Sequence, residues 1–96
     1  MYKFKLPDDL AGLVRSLHPE LKTRVRAALD MILKDPSGGK ALKDDLAGLQ
    51  SFRVKRFRII YKVEPRKIIA LVAVGPRRII YEQTYKLVRK GSDAKK

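Results

Sequence analysis

An α+β domain, with a helical hairpin packed on an antiparallel sheet, is the fold class this sequence predicts. Three observations carry it. Apolar residues recur at helical spacing through residues 7–34. From Gln50 to Val74 the chain turns to β-branched and aromatic residues interleaved with polar ones. Between the two regimes lies "DPSGGK", residues 35–40, the clearest loop in the chain. With 96 residues there is material for one modest core, and no internal repeat divides it. We place a single domain over 1–90 and a basic tail, expected to be disordered, over 91–96.

The elements follow in order. "YKFKLP" alternates Tyr2, Phe4 and Leu6 with Lys3 and Lys5, the pattern of a short half-exposed strand. Pro7 suits the first turn of a helix, and Asp8 and Asp9 suit the positive end of its dipole. Leu10, Leu13, Val14 and Leu17 continue at helical spacing, so a first helix is predicted over 7–17. His18-Pro19 breaks it, and Pro19 with Glu20 opens a second. Leu21, Val25, Ala28, Leu29 and Ile32 form one stripe of that helix, opposite Lys22, Arg24, Arg26 and Asp30. In "ALKDDLAGL", 41–49, no single period rules, but Leu42, Leu46 and Leu49 can pin a long connection to the core. Strands are predicted at about 50–55, 57–63 and 67–74, joined at Lys55-Arg56 and Pro65-Arg66 as an antiparallel meander. Gly75-Pro76 ends the last of them. "IIYEQTYKLVRK", 79–90, can form a short terminal helix.

Composition narrows the function classes. An apolar fraction of 45% argues against wholesale disorder. Without cysteine there are no disulfides and no thiolate metal sites. The longest uncharged apolar run, Ile68 to Val74, is far short of the roughly 20 residues of a membrane helix. "MYKFKLPDD" has no apolar secretory core, so a cytoplasmic protein with no membrane partner is expected. The charge is uneven. Residues 1–52 hold 9 cations and 7 anions, whereas 53–90 hold 12 cations against Glu64 and Glu82. A basic half of this kind points to a polyanion, and phosphate backbones are the usual one.

The densest part of that half is "SFRVKRFRIIY", 51–61. A two-residue turn at Lys55-Arg56 sets Val54 opposite Phe57, Arg53 opposite Arg58 and Phe52 opposite Ile59. Side chains alternate faces, so Phe52, Val54, Phe57 and Ile59 share one side and the two arginines share the other. Two permanently charged forked donors on one face suit a phosphate. The plainer alternative is that they splay into water or pair with a carboxylate such as Asp44 or Glu82. With Arg58 placed opposite Ala73, Arg77 and Arg78 approach the same edge.

"GLQSFRVKRFRIIYKV" followed by "IIALVAVGPRRIIYE" resembles the RelE/ParE superfamily of bacterial toxin–antitoxin toxins, closest to its RelE-like mRNA interferases. The family pattern is an aromatic, Arg, an apolar residue, a Gly-rich turn, an aromatic, Arg and "xxY", then Gly, a variable residue, Arg and a Tyr. Here those positions read Phe52, Arg53, Val54, Phe57, Arg58 and Tyr61, then Gly75, Arg77 and Tyr81. Nearly the whole chain takes part, since the β-α-α-β-β-β order is the family's. Two departures stand out. The turn has Lys55-Arg56 instead of glycine, which argues for a turn wider than two residues and so against the Arg53–Arg58 register. Pro76 stands where many members have His or Lys.

The resemblance implies a metal-independent endoribonuclease, ribosome-dependent, in which a ribose 2′-OH attacks the adjacent phosphate. That reaction needs a base, a stabiliser for the crowded phosphate and an acid for the leaving 5′-oxygen. The one histidine, His18, reads as a helix cap or surface residue, and no cluster of carboxylates or His/Asp suggests a metal or other cofactor. Lys55, standing among Arg53, Arg56 and Arg58, is a base candidate. Arg58 and Arg77 are the candidates for holding the phosphate, with Arg53 assisting. Tyr81 can act as acid or stack on a base, with Tyr85 its substitute one turn on, whereas Tyr61 alternates onto the core face. Arg56, Arg78 and Lys86 are expected to touch RNA.

Two other readings stay open: a ParE-like inhibitor of DNA gyrase on the same fold, and a non-catalytic RNA-binding module. The resemblance also implies partners, namely a cognate antitoxin and mRNA on the ribosome with rRNA contacts. Operator DNA would be reached only through the antitoxin.

Overall fold

The structure is a computed structural model and describes residues 2–77, 79–82, 84 and 86. Arg78, Tyr85, residues 87–90 of the expected terminal helix and the 91–96 tail lie outside the described residues. Strands β1 (Lys3–Lys5), β2 (Lys40–Ala41), β3 (Gln50–Val54), β4 (Phe57–Glu64) and β5 (Ile68–Pro76) form one sheet in the order β1-β5-β4-β3-β2. Helices α1 (Asp8–Ser16) and α2 (Pro19–Lys34) follow β1, and Asp8 and Asp9 occupy the first turn of α1 as their charge favours. Short 3₁₀ turns flank β2, one at Pro36–Gly38 in the 35–40 loop and one at Asp44–Leu46 in the stretch that showed no single period.

The core explains this arrangement. Leu10 of α1 and Val25, Ala28 and Ile32 of α2 pack on Val54, Ile59, Tyr61, Ile69, Leu71 and Val74. Fully burying each large aliphatic side chain stabilises by roughly 1.5–3 kcal/mol, so the stripe fixes the hairpin to this sheet face. The other face is covered over a smaller area. Leu49, Ile60, Ala73 and Ile80 are buried there, with Leu42, Leu46, Val72 and Tyr81 packed around them. Residues 41–49 therefore do pin the connection to the core. A terminal helical segment (residues 77, 79–82, 84 and 86) lies on the face opposite the helical hairpin.

The meander is antiparallel as expected, and β1 adds to it in parallel along β5, Phe4 standing opposite Ile69. Two details differ from the sequence expectation. The β4–β5 turn spans Pro65, Arg66 and Lys67, the last two at φ 65° and 60°, instead of two residues. A bulge then shifts the register between Ile60 and Tyr61, which lets both Val72 and Ala73 join the smaller cluster. Each event moves the pairing by one residue. Arg58 consequently stands opposite Gly75, not Ala73. Beyond the bulge the summed shift of two keeps the paired side chains on their expected faces, but it carries the end of β5 nearer the β3–β4 turn.

Candidate functional site

The β3–β4 turn is two residues long, and the pairs are Val54 with Phe57, Arg53 with Arg58 and Phe52 with Ile59. The wider turn suggested by the lack of glycine is not formed. Lys55 instead takes up a left-handed conformation, φ 53°, which costs a residue with a Cβ roughly 1–2 kcal/mol. On the face away from α1 and α2, Ser51, Arg53 and Arg58 come together. The end of β5 is tied to the same turn by the Arg77 backbone N–H, which donates to the Arg56 carbonyl at 2.7 Å. Two clefts result. One, of about 350 Å³, is lined by Arg53, Lys55, Arg56, Pro76 and Arg77. The other, of about 310 Å³, has Gly38, Gly39, Lys40, Ser51 and Phe52 with Arg53 and Arg58. Arg53 is the wall they share.

Arg58 is half-buried, whereas Arg53, Lys55, Arg56 and Arg77 are exposed. The Arg58 Nη1 donates to Ser51 Oγ at 3.4 Å, and that oxygen lies 3.1 Å from Tyr81 Oη. The Arg58 Nε is buried and has no hydrogen-bond partner among the described residues. A buried unpaired donor is costly, by about 1–3 kcal/mol and more when charged. Arg53 Nε donates to the Lys55 carbonyl at 3.4 Å. Among the described residues neither Arg53 nor Arg58 forms an ion pair. Glu82, one of the carboxylates considered for them, pairs with Lys86 at 3.6 Å. The simple solvated-pair alternative therefore fits Arg53 better than Arg58.

Sequence reasoning missed three contributors. Ser51 is 1% exposed and stands between Arg58 and Tyr81; its signal was its place two residues before Arg53, on the same face. Glu20, at the start of α2, puts Oε1 3.9 Å from Lys55 Nζ and 3.7 Å from Arg24 Nη2. Nothing local in the sequence announces that contact. Gly39 forms part of the second cleft, and a Cβ there would lie 2.5 Å from Tyr61 Oη and 3.1 Å from the Ser51 carbonyl. Only glycine fits under that hydroxyl.

Tyr61 is fully buried, as its alternation predicted, and its hydroxyl donates to the Pro36 carbonyl at 2.7 Å, with Gln50 Oε1 at 3.0 Å. Burial pushes this phenol above its ordinary value, the Asp35 carboxylate adds to the rise, and the Gly39 backbone N–H opposes it. His18 caps α2, its Nδ1 accepting from the Glu20 N–H at 3.4 Å. Lys86 is exposed and follows Tyr81 along the terminal helical segment, and it lines neither cleft. Among the described residues no three His, Cys, Asp or Glu side chains gather as a metal site.

The family model of the ParE toxin of the type II toxin–antitoxin system parDE matches residues 5–81. No curated protein sequence matches. Among solved structures, a double mutant of the Escherichia coli toxin RelE in the free state is similar, at 16% identity and a TM-score of 0.73, over 93% of this chain and 95% of that one. A chain of the RelBE2 toxin–antitoxin complex of Mycobacterium tuberculosis aligns at 23% identity and a TM-score of 0.69, over 79% of this chain and 98% of that one. The archaeal RelE–RelB complex of Pyrococcus horikoshii gives 23%, 0.64, 79% and 94%. At these identities the structural likeness is one of fold, on which different activities can be built.

Proposed function

We propose, since the chain belongs to the RelE/ParE superfamily of type II toxin–antitoxin toxins, that it is a ribonuclease toxin that cuts mRNA during translation in the cytoplasm. The observation that carries this is Arg58: a half-buried guanidinium, its Nε without a partner among the described residues, in a cleft with Lys40 and Arg53 that shares its Arg53 wall with a second cationic cleft.

In this reading the scissile phosphate lies against Arg58 and Arg77, with Arg53 between the clefts. Their charge stabilises the phosphorane-like transition state more than the ground state, because the negative charge on its equatorial oxygens is greater. Lys55, in the cleft with Arg77, takes the proton of the attacking 2′-OH as a neutral amine, since an ammonium has no lone pair to accept it. As the P–O5′ bond breaks, Tyr81 on the Ser51 side gives a proton to the leaving oxygen, and a 2′,3′-cyclic phosphate remains. An in-line displacement then requires base and acid to act from opposite sides of the phosphate held at the Arg53–Arg58 pair. Arg56 and Lys86 add contacts to the RNA backbone; Arg78, placed by sequence on the same edge, is assigned there too. A cognate antitoxin carrying acidic side chains would silence the protein by covering the same cations. Contact with operator DNA would then come through that antitoxin.

The matched family model names ParE, and that favours a second reading, inhibition of DNA gyrase. One paired experiment separates them. Purified toxin is added to a translating extract and mRNA ends are mapped by primer extension, while a parallel gyrase reaction is scored for supercoiling. New mRNA ends that fall about 10²–10³-fold with Arg58→Ala, a loss typical of one transition-state donor, support the ribonuclease. Loss of supercoiling without new ends overturns it.

A further inference from the structure

We infer that Ser51 is a positioning residue that sets the Tyr81 phenol relative to the Arg58 guanidinium. The inference rests on the ribonuclease reading and gives the site a member that neither the family pattern nor the basic patch supplies. Ser51 is 1% exposed, on the second strand residue of β3, and stands directly opposite Ile60. Its backbone is held on both sides, paired with Lys40 of β2 and Ile60 of β4. Its hydroxyl is therefore fixed in place by the sheet.

That hydroxyl meets two groups that come from elsewhere in the chain. Arg58 Nη1 donates to it at 3.4 Å from β4, and Tyr81 Oη lies 3.1 Å away on the terminal helical segment. A serine oxygen has one proton to give and two lone pairs. With the arginine donating to one lone pair, the hydroxyl proton and the remaining lone pair are left for the phenol. Tyr81 can then either accept from Ser51 or donate to it. In the second state its proton already points toward the guanidinium side, where a leaving oxygen on the Arg58-bound phosphate would sit. Without this hydroxyl the phenol keeps its packing on Leu49, Ile60 and Ala73 but has nothing to fix its rotation about the C–O bond or its distance to Arg58.

An isolated polar side chain at a buried sheet position also needs a reason. An alanine would serve the packing beside Ile60 equally well, and burying a hydroxyl has a desolvation cost that only its hydrogen bonds offset. Both of those bonds run to residues of the proposed machinery.

The test uses the full chain in single-turnover cleavage of ribosome-bound mRNA. It compares Ser51→Ala, Ser51→Thr and Tyr81→Phe with the Ser51→Ala/Tyr81→Phe double variant. Affinity is measured separately with a message carrying a 2′-deoxy residue at the cut site, which cannot react. The expectation is a 10–100-fold slower cleavage step for Ser51→Ala with affinity unchanged within twofold, and recovery of most of the rate with Ser51→Thr, which keeps the hydroxyl. The double variant should be no slower than Tyr81→Phe alone, because Ser51 acts through the phenol. A merely structural serine would not give that non-additivity. Cleavage by Ser51→Ala within twofold of the unaltered protein overturns the role, as does an additive loss in the double variant. A loss confined to affinity overturns it too. If the unaltered protein does not cut translated mRNA at all, the ribonuclease reading itself falls and takes this role with it.

Discussion

Lys55 sits at φ 53° in the two-residue turn between β3 and β4, and glycine would relieve it. Comparing Lys55→Gly with Lys55→Ala isolates the effect, since both lose the ammonium and differ only in the Cβ. The left-handed conformation costs a non-glycine residue roughly 1–2 kcal/mol, and glycine adopts it freely. Glycine gives back about 0.4–1 kcal/mol through the greater freedom of its unfolded chain. The net expectation is that Lys55→Gly is more stable than Lys55→Ala by about 0.5–1 kcal/mol, and for a domain of this size about 4–8 °C in Tm corresponds to each kcal/mol. The ion pair of Lys55 with Glu20, 3.9 Å apart and with both side chains more than half exposed, adds only a few tenths to the unaltered protein. Thermal unfolding followed by circular dichroism reads the difference, and growth arrest in cells reads the function. Both variants should fail to arrest growth, the more stable one included. A Tm for Lys55→Gly equal to or below that of Lys55→Ala refutes the strain at this turn. Arrest by Lys55→Gly at full strength refutes the role of the Lys55 amine as base.

Three other expectations can be checked with the same preparations. Gly39→Ala should destabilise by about 1–3 kcal/mol, the usual range for overpacking, because its Cβ meets Tyr61 Oη at 2.5 Å; chemical denaturation should show a smaller loss in a Tyr61→Phe background, where only the ring carbon and the Ser51 carbonyl stay close. Tyr61 itself makes stability fall at high pH. Its folded value is raised by burial, so the folded protein keeps this proton when the unfolded chain has lost it, and stability falls from the unfolded value near 10 until the folded group ionises too. Denaturation midpoints of Tyr61→Phe subtracted from those of the unaltered protein, between pH 8 and 11, should show that loss, and a flat difference contradicts it. Arg77→Ala should abolish growth arrest with Tm unchanged within error, since the side chain is exposed and the backbone N–H bond to Arg56 remains; full toxicity would remove Arg77 from the phosphate site.

The parts of the fold written in local periodicity were legible. The α2 stripe, the meander and the alternation that buries Tyr61 and turns Arg53 and Arg58 the other way could all be read from spacing alone. Long-range adjustments could not. The three-residue β4–β5 turn depends on Arg66 and Lys67 accepting positive φ, and the bulge at Ile60/Tyr61 depends on Val72 and Ala73 finding room in the second cluster. Neither leaves a mark in the sequence, so Arg58 was placed two residues from its true partner on β5. The site followed the same division. Arg53, Lys55, Arg56 and Arg77 were legible because charge and strand parity put them at one turn. Ser51 and Glu20 were not, since each acts through a contact made across the fold: Ser51 reaches Tyr81 thirty residues away, and Glu20 approaches from the start of α2.

Why two arginines face each other is settled by comparing magnitudes. Directly opposed like charges cost about 0.2–1 kcal/mol on the scale of cross-strand pairs. A one-residue slip would bring Val54 and Ile59, 7% and 0% exposed, out to the other face. Those two side chains alone are worth roughly 3–6 kcal/mol of burial, before Phe52 and Phe57 are considered. The hydrophobic term wins several-fold, so the charge pair is held in place by residues that never touch it. The convergence of guanidinium groups therefore needs no ligand to form. An anion bound there relieves repulsion that the fold already bears, and it gains affinity because no side chain has to be brought in from solution to meet it.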